Sequence, residues 1–150
     1  MKARVRPSAF TLVEVLIVVV IMAILAAVII PQFTDSTKDA KSSTTKFNLS
    51  TMRSQIQLYR TQHGGLNPAA TLIELKKSTD ATGAQGTGAN YPFGPYLREI
   101  PANPVTNSNA VKSITTDPPV AGDVTSGGAG WLYNATTGGI WIDHADYFTQ

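Results

Sequence analysis

Phe10-Thr-Leu-Val-Glu14-Val-Leu-Ile-Val-Val-Val-Ile-Met-Ala-Ile-Leu-Ala-Ala-Val-Ile-Ile30 is 21 residues long and carries one charge, Glu14. At 1.5 Å per residue, a helix of that length covers roughly 30 Å, about one bilayer core. Lys2, Arg4 and Arg6 precede it. The positive-inside rule keeps such a basic leader in the cytoplasm. A carboxylate inside an apolar run costs about 2.5–3.5 kcal/mol on insertion scales when it sits near the bilayer centre. Glu14 therefore needs compensation.

Three readings compete for this run. A secretory signal has an apolar region of about 7–15 residues and a small-x-small cleavage site at its far end. This run is longer, and Ala23, Ala26 and Ala27 do not form an Ala-x-Ala pattern. A plain single-pass anchor fits the length and the flanking charge, with Glu14 snorkelling to the interface. The third reading rests on Ser8-Ala9-Phe10-Thr11-Leu12-Val13-Glu14-Val15-Leu16-Ile17-Val18. That string resembles the cleavage and methylation motif of the type IV pilin superfamily, which includes type IV pilins and the pseudopilins of type II secretion.

The resemblance implies a specific set of events. A dedicated membrane peptidase cuts on the cytoplasmic side, between Ala9 and Phe10, and the new amine of Phe10 is N-methylated. Glu14 becomes the fifth residue of the mature chain and pairs with the Phe10 amine of a neighbouring subunit during assembly. Pro31 falls where many members carry a helix-kinking proline. Most members have glycine before the cut, where this chain has Ala9. The implied domains are a leader (1–9), a transmembrane and filament-core helix (10–30) and a periplasmic or extracellular pilin-like domain (31–150).

The charge balance follows the leader. Without Lys2, Arg4 and Arg6, nine basic residues face ten acidic ones, a formal charge of −1. The basic isoelectric point near 9 is thus no sign of nucleic-acid affinity, which needs clustered Lys and Arg. Lys76-Lys77 is the only adjacent basic pair that remains, and a solvated helix end explains it. There is no cysteine, which excludes a disulfide framework. Many type IV pilins close a C-terminal loop with a disulfide, so the resemblance implies another device here.

Glycine usage divides the chain. All twelve glycines lie at or after Gly64, and Pro31 is the one proline between Phe10 and His63. Those 54 residues predict one long helix of roughly 80 Å at ideal rise. Pro31 removes one backbone hydrogen bond and is expected to kink it. Its polar second half carries a sparse stripe of Phe33, Ala40, Phe47, Met52, Ile56 and Tyr59, expected to pack on a sheet. His63-Gly64-Gly65 is a stop signal. Asn67-Pro68 predicts a short second helix with Asn67 as N-cap and Leu72, Ile73 and Leu75 on its apolar side.

Ser78 to Asn90 is small and polar and predicts a flexible loop. Its Gly83, Gly86 and Gly88 lack the following Lys and Ser/Thr of a phosphate-binding loop. Tyr91-Pro-Phe-Gly-Pro-Tyr96-Leu-Arg-Glu-Ile-Pro101-Ala-Asn-Pro104 predicts a rigid, extended segment laid over the core. Trp131-Leu-Tyr133 and Ile140-Trp-Ile142 flank a turn rich in Asn, Thr and Gly, the pattern of a hairpin. The expected fold class is α+β, a long N-terminal helix packed on a small antiparallel sheet.

Metal and catalytic readings are thin. His63 and His144 lie on different elements without zinc-ligand spacing, and no Gly-x-Ser-x-Gly elbow is present. No residue constellation supports an enzyme. Major pseudopilins bind calcium through a C-terminal loop that includes aspartates, so the resemblance makes Asp143 and Asp146 candidate calcium ligands, with Asp117 or Asp123 from the long loop. The implied role is structural: a subunit of a type IV pilus-like or type II secretion pseudopilus filament. Its implied partners are copies of itself, a prepilin peptidase, an inner-membrane assembly platform and other pilin-like subunits. The implied location is the bacterial inner membrane, then the filament in the periplasm or at the cell surface. The alternative is a minor tip pilin acting in adhesion or DNA uptake.

Overall fold

The computed structural model describes residues 10–149, except for the side chain at position 31. The leader and Ala9 lie outside the described residues. The chain divides into two compact units, one ending at Asp39 and one from Ala40 to Gln150. Helix α1 spans Leu12–Gln62, 51 residues, and its assignment passes through position 31 unbroken.

The first unit is helix alone, and its large apolar side chains from Phe10 to Ile30 are exposed. Among the described residues, α1 is the one helix long and apolar enough to cross a membrane.

The second unit is built on the rest of α1. The buried positions there are Thr45, Leu49, Met52, Ile56 and Tyr59, followed by His63 just past the helix. Their alternating steps of four and three draw one narrow stripe. The expected stripe was partly misplaced, since Phe33 and Phe47 are 70% and 71% exposed. Counting only large apolar residues passed over Thr45. That threonine is buried because its hydroxyl is shared between the Lys41 carbonyl (2.8 Å) and Asn103 Oδ1 (3.1 Å).

The helix stops as expected. Gly65 N–H donates to the Arg60 carbonyl at 2.8 Å, and both Gly64 and Gly65 have positive φ. This six-to-one bond closes the orphan carbonyls of the last turn. The second helix differs from expectation. It is a short 3-10 turn, Ile73–Lys76, preceded by Leu72 in the left-handed region. Asn67 is not its cap. Its Nδ2 instead donates to the carbonyls of Ala135 (3.0 Å) and Thr136 (2.9 Å), tying this segment to a distant turn.

Two small sheets complete the unit. Strands β1 (Ser78–Thr79) and β2 (Gln85–Gly86) pair antiparallel inside the stretch expected to be a flexible loop. Asp80 organises their turn by accepting from Thr82 N (2.8 Å), Thr82 Oγ1 (2.7 Å) and Ala84 N (3.1 Å). These bonds, the Thr82 hydroxyl foremost, hold its carboxyl below the usual range. The second sheet has the order β3 (Val111–Ser113), β4 (Trp131–Tyr133), β5 (Ile140–Ile142). The β4–β5 hairpin is antiparallel, as the sequence pattern predicts, with Leu132 opposite Trp141. β3 runs parallel to β4, so the sheet is mixed. A parallel pair needs a long crossover, which the segment 114–130 supplies.

All three residues of central strand β4 are buried. Trp131 and Tyr133 face the core formed by Leu49, Met52, Ile56, Tyr59, Leu72, Leu75, Ile100, Ile140 and Ile142. The proline-rich segment lies over this core as predicted. Tyr96 and Leu97 both donate their N–H to the Leu75 carbonyl (2.9 and 2.8 Å), and Pro101 O accepts from Trp131 Nε1 at 2.8 Å.

Candidate functional site

The start of α1 is a reciprocal cap. Glu14 Oε2 accepts from the Thr11 N–H and from the Thr11 hydroxyl, each at 2.8 Å. In return, Thr11 Oγ1 accepts from the Glu14 N–H at 3.2 Å. Thr11 is thus the N-cap and Glu14 the third helical residue of a capping box, which satisfies two otherwise orphaned backbone donors. A carboxylate in the first turn also faces the positive end of the helix dipole. The sequence pattern marked Glu14 as needing compensation. Thr11 supplies part of it from within the same chain, a local pairing that the Thr-x-x-Glu spacing encodes. Phe10 stands beside this cap, 85% exposed.

The candidate calcium ligands do not share one environment. Asp143 is fully buried. Its Oδ1 accepts from Thr125 N (2.7 Å), and its Oδ2 accepts from Ala129 N (3.0 Å) and the Thr125 hydroxyl. Asp146 is exposed and faces His144 Nδ1 at 3.7 Å. Asp123 accepts from the Thr116 hydroxyl and from Val120 N (2.9 Å), while its backbone carbonyl receives the Lys112 ammonium. The Thr116 hydroxyl, the Val120 N–H and the nearby ammonium hold the Asp123 carboxyl below its ordinary value. Asp117 is exposed and lines a shallow depression with Arg53 and Trp141. Among the described residues, no three His, Cys, Asp or Glu side chains converge as a metal site would require. The long crossover is held by the chain's own donors: Thr125 and Ala129 on Asp143, and Lys112 on Asp123.

The histidines also stand apart. His63 is buried, with Nδ1 2.8 Å from the Tyr59 carbonyl and Nε2 2.9 Å from Thr79 Oγ1. Its ring stacks on Tyr59 with centroids 3.8 Å apart. His144 Nδ1 accepts from the Asp146 N–H at 3.2 Å. Both tryptophans pack on the chain itself, Trp131 in the core and the Trp141 ring against Gly139.

An apolar helix with a capped, carboxylate-bearing start, continuing into the core helix of a small α+β head, defines a pilin-like subunit. Comparison with known proteins agrees. Residues 4–30 match the family model for the prokaryotic N-terminal methylation motif. The chain is 26% identical over 99 residues to the type II secretion system core protein G of Klebsiella pneumoniae, covering 66% of this chain and 69% of that protein. It is 28% identical over 102 residues to the protein of that name from Pseudomonas aeruginosa, covering 67% and 69%. For the one from Dickeya chrysanthemi the figures are 26% over 111 residues, covering 66% and 63%. No solved structure gives a significant match. The chain is thus similar over residues 4–30 to proteins that carry this methylation motif, and over about two thirds of its length to type II secretion core protein G.

Proposed function

We propose that this protein is a structural subunit of a type II secretion pseudopilus filament. It is inserted in the bacterial inner membrane by residues 10–30, with its α+β head in the periplasm. A prepilin peptidase removes residues 1–9 by cutting between Ala9 and Phe10, and the Phe10 amine is N-methylated. An inner-membrane assembly platform then adds the subunit to copies of itself and to other pilin-like subunits. The observation that carries this reading is Glu14, the single carboxylate of residues 10–30, at the capped start of an otherwise apolar and exposed stretch of α1. In the filament its negative charge meets the positive Phe10 amine of a neighbour. Each charge offsets the burial cost the other would bear alone.

Intact-protein mass spectrometry of membrane-extracted protein tests the processing step. The expected mass begins at a methylated Phe10. A mass beginning at Met1, in a host with an active prepilin peptidase, favours the plain anchor and removes the filament reading.

A further inference from the structure

Between α1 and the β4–β5 hairpin lies a groove of about 280 Å³ that the filament reading leaves unused. All of its lining residues belong to the second unit. Trp141 is among them, half-buried at the middle of β5, an edge strand. A Cβ at Gly139 would stand 2.1 Å from Cη2 of that indole and 2.8 Å from Cζ2 and Cζ3. The ring therefore lies over bare backbone, in space that any other residue at 139 would fill. Gly139 does not have a positive φ, so glycine serves close approach there and not a turn.

Polar side chains of both kinds stand around this ring. Arg53 Nη2 donates to the Ile140 carbonyl at 3.0 Å, which holds the guanidinium beside the strand. Gln57 and Asp117 line the groove and are exposed. Thr137 Oγ1 accepts from the Gly139 N–H at 3.2 Å, which leaves its proton to donate. One cation and one anion cancel, so donors and acceptors surround an aromatic face without net charge. An acidic ligand would meet the Asp117 carboxylate. An added β-strand would meet Arg53 already seated on the Ile140 carbonyl.

We infer that this groove binds a neutral saccharide, with one pyranose ring stacked on Trp141 and its hydroxyls bridged to Arg53, Gln57, Asp117 and Thr137. A pyranose with equatorial hydroxyls presents axial C–H groups on its face, which suit the negative face of an indole. Each hydroxyl on its rim both donates and accepts, so one ring can meet a guanidinium, an amide and a carboxylate together. The groove is smaller than the roughly 300–1,000 Å³ of a drug-sized ligand pocket and takes a single ring. One ring binds weakly, which suits a polymer that presents the same ring many times. β-Linked glucose and N-acetylglucosamine polymers both do so. The inference does not depend on the filament reading, because the groove is complete within one chain.

Saturation-transfer NMR titrations of the full-length protein in a sugar-free zwitterionic detergent test this. The probes are short β-linked oligomers of glucose and of N-acetylglucosamine. Transfer to the ring C–H protons of at least one probe is expected, and the probe that binds tells a glucan from an N-acetylated glycan. Trp141→Ala is expected to weaken binding about tenfold or more. Gly139→Ala keeps the indole but lifts it off the strand, and is expected to weaken binding about fivefold. Gln57→Ala, at an exposed helix position, removes one hydroxyl partner and is expected to weaken binding about threefold with thermal unfolding as in the parent. That variant keeps a loss of binding separate from a loss of fold. Binding of neither probe by the parent protein would overturn the inference. So would binding that all three variants retain at full strength. A thymidine oligonucleotide that binds where neither sugar does, and is lost in Trp141→Ala, would give the ring to single-stranded nucleic acid and overturn it as well.

Discussion

The Thr11 hydroxyl and the Glu14 carboxylate hold each other at 2.8 Å, and the same carboxylate oxygen also takes the Thr11 backbone N–H. Glu14 thus has a partner before any neighbouring subunit arrives. One oxygen serves the cap, and the carboxylate still carries a full negative charge, which the proposed pairing with a neighbour's amine would use. Cap and charge are separable, because glutamine serves at the third position of a capping box as glutamate does.

Glu14→Gln tests that separation. The variant keeps an acceptor for Thr11 and loses the charge, so insertion and cleavage before Phe10 are expected to be normal. Filament incorporation is expected to fail, as it is for Glu14→Val, which loses both. Electron microscopy of sheared surface fractions, with mass spectrometry of the membrane pool, reads both steps. Full incorporation of Glu14→Gln would show that the cap, not the charge pair, is what assembly requires.

Much of this architecture was legible in the chain. The apolar run, the Gly64-Gly65 stop and the β4–β5 hairpin all rest on local signals: composition, backbone freedom and period-two patterning. The elements that were misread depend on distant partners. Asn67 has the residue type of a cap, but the carbonyls of Ala135 and Thr136 claim its amide. Thr45 is polar in isolation and buried once Asn103 meets it. The loop from Ser78 to Asn90 has a flexible composition, yet Asp80 fixes its turn. Asp143 and Asp146 are neighbours in sequence with opposite exposures, because one points into the crossover and the other into solvent.

Asp143 leads to a direct test of the calcium expectation. Both of its oxygens already accept from Thr125 and Ala129. A calcium ion on this carboxylate would have to displace donors that the fold supplies. The melting temperature of the full chain in detergent is therefore expected to be unmoved by chelator, or by added calcium, at matched ionic strength. Asp143→Ala is expected to cost about 3–5 kcal/mol, since it strands the N–H groups of Thr125 and Ala129 and opens a void. A chelator-induced drop that calcium reverses would restore a metal clamp at this loop.

Tyr133 gives the protein an alkaline limit. Its ring is fully buried in the core, and its hydroxyl donates to the Pro68 carbonyl at 2.9 Å. Burial first, and the Glu74 carboxylate second, push its ionisation well above the ordinary tyrosine value. In the unfolded chain the phenol ionises near pH 10. Below that pH both states keep the proton, and its contribution to stability is complete. Above it, the unfolded state releases a proton that the folded state retains, so stability falls by about 1.4 kcal/mol per pH unit for this group. Tyr59 and Tyr96 are shifted in the same direction and add to the slope. Tyr133→Phe is expected to cost about 1 kcal/mol at neutral pH, because the Pro68 carbonyl loses its donor. It is also expected to make the decline above pH 10 shallower. Thermal unfolding between pH 8 and about 11.5, with tyrosinate absorbance as the second signal, measures both effects. An unchanged alkaline slope in Tyr133→Phe would mean that Tyr59 and Tyr96 alone set the limit.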